Sequence, residues 1–92
     1  MSAPERDPRT GNTADAMADA VARRSYGKLL AFLAARTRDV AGAEDALSEA
    51  FASALADWRV HGCPANPEAW LLTAARRKMI DRSRRRRTGE LV

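Results

Sequence analysis

Between Arg76 and Arg87, eight basic residues (Arg76, Arg77, Lys78, Arg82, Arg84, Arg85, Arg86 and Arg87) stand against the single acid Asp81, for a net charge of +7. Residues 1–75 hold eight basic and ten acidic residues, net −2, and Glu90 completes the chain's total of +4. Positive charge confined in this way points to a polyanion rather than to general solubility. A membrane surface would accept the same charge, but the run carries no aromatic or Leu-rich face to bury among lipids, so nucleic acid is the better match. The plainer reading is a solvated helix end with cations near its C-terminal dipole; four consecutive arginines exceed what capping requires. A second cluster, Glu44, Asp45, Ser48 and Glu49, has the spacing of one helical face and forms an acidic patch, either simply solvated or facing a basic partner. Nothing suggests catalysis: there is one histidine, His61, no Gly-rich phosphate loop and no pair of carboxylates in a plausible cleft. One Cys and one His argue against a self-contained zinc site, and no other cofactor is implied. Cys63 has no partner for an internal disulfide, in keeping with a reducing compartment.

The elements that position these residues read as helices. The chain has 92 residues, is rich in alanine and poor in aromatic and β-branched residues, and suits one small all-α domain with a modest core. Residues 1–12, with Pro4, Pro8, Gly11 and Asn12 among alternating charges, are expected to be a disordered lead. A first helix is expected from Thr13 to about Arg36, with Met17, Val21, Leu29, Leu30, Phe32 and Leu33 as its apolar stripe and Gly27 weakening its middle. After a break at Thr37-Arg38-Asp39, the spacing of Val40, Ala43, Leu47, Ala50, Phe51, Ala54, Leu55 and Trp58 predicts a second helix over about 40–58. Arg59 to Pro67, with Gly62, Pro64 and Pro67, reads as a connection. A third helix then starts at Pro67 behind an Asn66 cap and runs to about Arg87, roughly 30 Å, with its basic end clear of the core. Trp58 and Trp70 are expected to pack in the core at the two ends of the connection. No apolar run approaches the roughly 20 residues needed to cross a bilayer, and residues 1–9 lack the apolar core of a signal peptide, so the expected location is the cytoplasm.

Three linked pieces carry a family resemblance: Tyr26-Gly27-Lys28-Leu29-Leu30 in the first helix, Ala43-Glu44-Asp45-Ala46-Leu47-Ser48-Glu49-Ala50-Phe51 in the second, and Asn66-Pro67-Glu68-Ala69-Trp70-Leu71 leading to Ala74-Ala75-Arg76-Arg77-Lys78-Met79-Ile80-Asp81 in the third. In this order and separation they resemble region 2 of bacterial sigma factors of the extracytoplasmic-function type, over about residues 15–88, with the domain expected to span 13–88. The Gly62-Cys63-Pro64-Ala65-Asn66-Pro67 loop also resembles the subgroup in which a helical extension follows the DNA-binding domains.

The resemblance implies a three-helix domain that binds core RNA polymerase, recognises the promoter's minus-ten element and helps to melt it. Glu44, Asp45, Ser48 and Glu49 then hold the place that docks on a coiled coil of the polymerase's largest subunit, with Ser48 where glutamine is usual. His61 and Asn66 fall where a base turned out of the non-template strand is read. Arg76, Arg77, Lys78, Arg84 and Arg85 fall where phosphates are held, with Asp81 shaping that face. Arg77 stands where asparagine is common, which favours backbone contact over base reading. An anti-sigma regulator is a further implied partner. The family's second, promoter-distal domain is missing and residues 89–92 read as a tail, so a fragment or isolated domain is expected, with weak promoter affinity alone. The rival reading is a helical protein-interaction module that binds a regulator while its basic end only solubilises.

Overall fold

The computed structural model describes the backbone of residues 8–91 and the side chains of residues 13–86. Three helices follow one another, α1 (Pro8–Thr37), α2 (Val40–His61) and α3 (Pro67–Leu91), with no strand among the described residues. The all-α, three-helix expectation holds, and the differences lie at the helix ends.

α1 starts at Pro8 rather than at Thr13, so residues 8–12 of the expected disordered lead are helical, while residues 1–7 lie outside the described residues. Pro8 suits a first turn because its missing N–H would have had no helical acceptor there. α1 stops where the charge-rich break was expected. Thr37 Oγ1 donates to the carbonyl of Leu33 at 2.9 Å, and Arg38 takes a left-handed φ of 59° so that its N–H closes on Ala34 O at 2.6 Å. Asp39 then caps α2 by accepting the Gly42 N–H at 2.9 Å.

α2 continues three residues beyond the expected end, so Arg59, Val60 and His61 are helical rather than part of the connection. None of the three is a breaker. Gly62 is, and with φ 88° it turns the chain while its N–H bonds to Trp58 O at 2.9 Å. Asn66 Oδ1 accepts the Ala69 N–H at 3.1 Å, the cap expected for α3, and α3 runs to Leu91, past the expected end near Arg87.

α2 is the central helix, packing on both neighbours, while α1 and α3 meet over a shorter stretch. Its buried face is almost all small: Gly42, Ala43, Ala46, Ala50 and Ala54, with Leu47 and Trp58. Small side chains let the backbones approach closely, and Leu29 and Leu33 of α1 and Leu71 and Ala75 of α3 fill the remainder. A leucine at Ala46 would push the helices apart at a cost of about 1–3 kcal/mol. Two residues expected in the apolar stripes are instead exposed. Val40, at 57%, is the first helical residue and precedes the packed turns, and Phe32, at 44%, lies to the side of Leu29 and Leu33.

Trp58 is buried, and its ring meets that of half-buried Trp70 edge-on, with centroids 5.5 Å apart, so the two tryptophans clamp the connection as expected. Polar ties fasten the ends of the bundle. Arg59 of α2 reaches Asp15 of α1 at 2.8 Å, and buried Ser25 of α1 donates its hydroxyl to the Glu68 carboxylate of α3, which Lys28 approaches at 3.4 Å. No helix among the described residues is long and apolar enough to cross a membrane.

Candidate nucleic-acid interface

The short connection and the first three turns of α3 form a groove of about 470 Å³ lined by Pro64, Asn66, Ala69, Trp70, Thr73, Ala74 and Arg77. Pro64 and Asn66 come from the connection, and α3 supplies the rest at helical spacing. Asn66 uses its carbonyl oxygen as the helix cap, which leaves its NH2 group as the donor free for a ligand. Trp70 adds an aromatic surface and Arg77 a cation. An apolar cleft of this size with a few polar groups at its rim falls within the roughly 300–1,000 Å³ of small-molecule sites.

Beyond the groove, Arg77, Asp81 and Arg84 stand four and three residues apart and so share one stripe of α3 with Trp70 and Thr73, and Arg85 lies beside it. Arg77, Asp81, Arg84 and Arg85 are all exposed, and among the described residues no ion pair joins Asp81 to its basic neighbours. The other residues assigned to DNA by resemblance stand elsewhere. Arg76 is turned about 100° from Arg77 and lines a different groove, with Leu33 and Arg36 of α1. Lys78 is half-buried, seven residues after fully buried Leu71 and hence on the core side. His61 is the last residue of α2, outside the groove, with its Nδ1 3.1 Å from Asp57 Oδ1.

Glu44, Asp45, Ser48 and Glu49 all lie exposed on α2. Ser48 also borders a groove between α1 and α2, where Tyr26 and Phe51 pair with ring centroids 6.2 Å apart. One residue of this surface escaped sequence reasoning. Arg82 of α3 places Nη2 3.0 Å from Glu49 Oε2 and Nη1 3.6 Å from Asp45 Oδ2. The signal was present: Arg82 comes eleven residues after Leu71 and seven after Ala75, both fully buried, so it continues the stripe that faces α2. The Ser25, Lys28 and Glu68 contact was also missed, because no local pattern announces a pairing across forty or more residues. Chiefly through the Ser25 hydroxyl, and secondarily through Lys28 and Arg24, the Glu68 carboxyl lies below its ordinary pKa, although partial desolvation opposes the shift.

No group of three or more His, Cys, Asp or Glu among the described residues is arranged to hold a metal ion. Comparisons with curated proteins and with solved structures found no match. The family profile described as Sigma-70 region 2 matches residues 21–88, which takes in most of α1, all of α2 with its acidic face, the groove and the cationic stripe of α3. The matched stretch is well over half of the chain and holds both surfaces described above, and the chain belongs to the sigma-70 region 2 family.

Proposed function

We propose that this domain is region 2 of a sigma factor of the extracytoplasmic-function type, which docks on core RNA polymerase through α2 and holds the non-template strand of the minus-ten element with α3 and the loop before it. The family binds core polymerase and recognises promoter DNA without catalysing a reaction. The finer roles rest on where the residues stand. Glu44, Asp45 and Glu49 offer carboxylates to the coiled coil of the largest subunit, steering association and setting register, with Ser48 adding a short polar contact where a longer side chain is usual. Turning a base out of the duplex costs a few kcal/mol, which edge hydrogen bonds and packing must return. The Asn66 NH2 group and the Trp70 ring supply these in one groove, while Arg77, Arg84 and Arg85 hold the adjoining phosphates and Asp81 shapes that face. Lys78 serves at the edge of this path, and His61 reads a neighbouring base where the strand passes the end of α2. The work belongs in the cytoplasm, under an anti-sigma regulator that covers one of these two surfaces.

The observation that carries this reading is the shared groove of Asn66, Trp70 and Arg77, continued along the same side of α3 by Arg84. The test is co-migration with purified bacterial core RNA polymerase, comparing the wild type with an Asp45→Lys, Glu49→Lys variant shown by circular dichroism to remain helical. Binding by the wild type that the variant loses supports the docking face. Binding by both, or by neither, overturns it.

A further inference from the structure

Two of the four exposed large apolar residues among the described residues, Phe32 at 44% and Ile80 at 48%, lie along the side where α1 and α3 adjoin. Phe32 is one turn beyond Lys28, which reaches Glu68 of α3, and the Arg36 guanidinium lies 5.1 Å over its ring. Next to it a cavity of about 220 Å³ is lined by Leu33, Arg36, Thr37, Arg76, Met79 and Ile80. A second, of about 590 Å³, shares Thr37, Met79 and Ile80 and continues to Arg86, so the two form one trough. Arg76 to Arg86 spans about 15 Å of α3, the length of roughly three turns of another helix.

The rim of this trough is cationic. No acid lines its inner part, where Arg36 and Arg76 flank the apolar floor. The one acid of the outer part, Asp39, is engaged in capping Gly42, and Arg82 there is turned to Glu49, which leaves Arg86.

We propose that the α1–α3 trough docks an amphipathic helix of a partner protein, with apolar side chains along one edge and carboxylates on either side. Apolar residues from such a helix would cover Phe32, Met79 and Ile80 while its carboxylates meet Arg36, Arg76 and Arg86. Phosphate groups would meet the arginines but leave the apolar floor uncovered. A second copy of this chain would bring the same cations face to face across a two-fold axis. None of Glu44, Asp45, Ser48, Glu49, Asn66, Trp70 or Arg77 takes part, so the proposal goes beyond the sigma reading and such a partner would bind without displacing polymerase or the flipped base.

The test is amide chemical-shift mapping on the 15N-labelled full chain, titrated with an end-capped 15-residue helical peptide carrying Leu at i, i+4 and i+7 with Glu on both flanks. Shifts are expected at residues 32–37 and 76–86. Arg36→Glu with Arg76→Glu, or Phe32→Ser alone, should weaken the peptide by about tenfold or more, as should Lys in place of the peptide's Glu residues. All three substituted positions are exposed, and a thermal melt of each variant verifies the fold. Absent shifts, shifts confined to other faces, or equal binding of the Lys peptide would overturn the proposal. So would displacement of the peptide by a twelve-residue thymidine oligonucleotide at the same amides, which assigns the trough to nucleic acid, or shifts there that grow with protein concentration alone, which assign it to a second copy.

Discussion

Arg82 of α3 donates to the Glu49 carboxylate of α2 at 3.0 Å, with Asp45 at 3.6 Å, so the strongly cationic helix is tied to the acidic face of its neighbour. The pair is partly exposed, and such pairs contribute about 0.2–1 kcal/mol to stability. Its larger consequence is electrostatic: an internal cation already neutralises part of the acidic face, which on the proposed reading meets a basic partner. Arg82→Gln should therefore leave thermal stability nearly unchanged and raise the association rate with core polymerase by on the order of threefold at low salt. Stopped-flow association measures this. A slower rate would mean instead that Arg82 holds the two carboxylates in the geometry that binds.

The stripe of Arg77, Arg84 and Arg85 makes a salt-dependent prediction. Each phosphate contact removed from a single strand flattens the slope of log K against log salt by about 0.7. Replacing all three by alanine should reduce the slope for a minus-ten non-template oligonucleotide by about 2, whereas Arg76→Ala, on the α1 side of the helix, should leave it unchanged. Fluorescence anisotropy across a salt series distinguishes the two.

Gly42 sits beneath the cap of α2. A Cβ there would overlap the Asp39 carboxylate, with its Cγ only 2.7 Å away, so the carboxylate would have to leave the Gly42 N–H. Alanine usually stabilises a helix interior relative to glycine, but losing an Asp cap costs typically about 1 kcal/mol and up to about 2. Gly42→Ala should lower the urea midpoint with an unchanged m-value. A raised midpoint would show that the cap contributes little.

Glu68 predicts a pH dependence. Its carboxyl lies below its ordinary pKa of 4.5 because Ser25 and Lys28 favour the charged form, so the native state binds this proton less readily than the unfolded chain. The stabilisation is present above the unfolded value and is lost as pH falls through the folded one. Ser25→Ala should lower the melting temperature at pH 7, and the gap from wild type should narrow as the pH is taken below 4.5. A gap independent of pH would assign the loss to packing of the buried hydroxyl alone.

Much of the fold was legible because its signals are local. Apolar spacing along residues 43–58, the Asn66-Pro67 start and the Thr37-Arg38-Asp39 break each act within a few residues, and each element appeared where they pointed. The ends shifted where a local rule was read too broadly. The breakers after Trp58 begin only at Gly62, so α2 keeps another turn, and Pro8, read as part of a disordered lead, is compatible with a helix start. Phe32 and Val40 fit an apolar period without being buried, because a period identifies a face but not how far along it, or how widely around it, a neighbour extends.

The sequence by itself determined that the chain is helical, that its positive charge is concentrated at one end of one helix, and that an acidic face stands on another, since composition, periodicity and charge order are properties of the chain alone. Only the tertiary structure decided which charges act together. Arg76 and Arg77 are neighbours in sequence, yet they line different grooves because one helical step turns them about 100° apart. Arg82 and Glu49 lie 33 residues apart and meet because alanines on α2 let α3 pack closely.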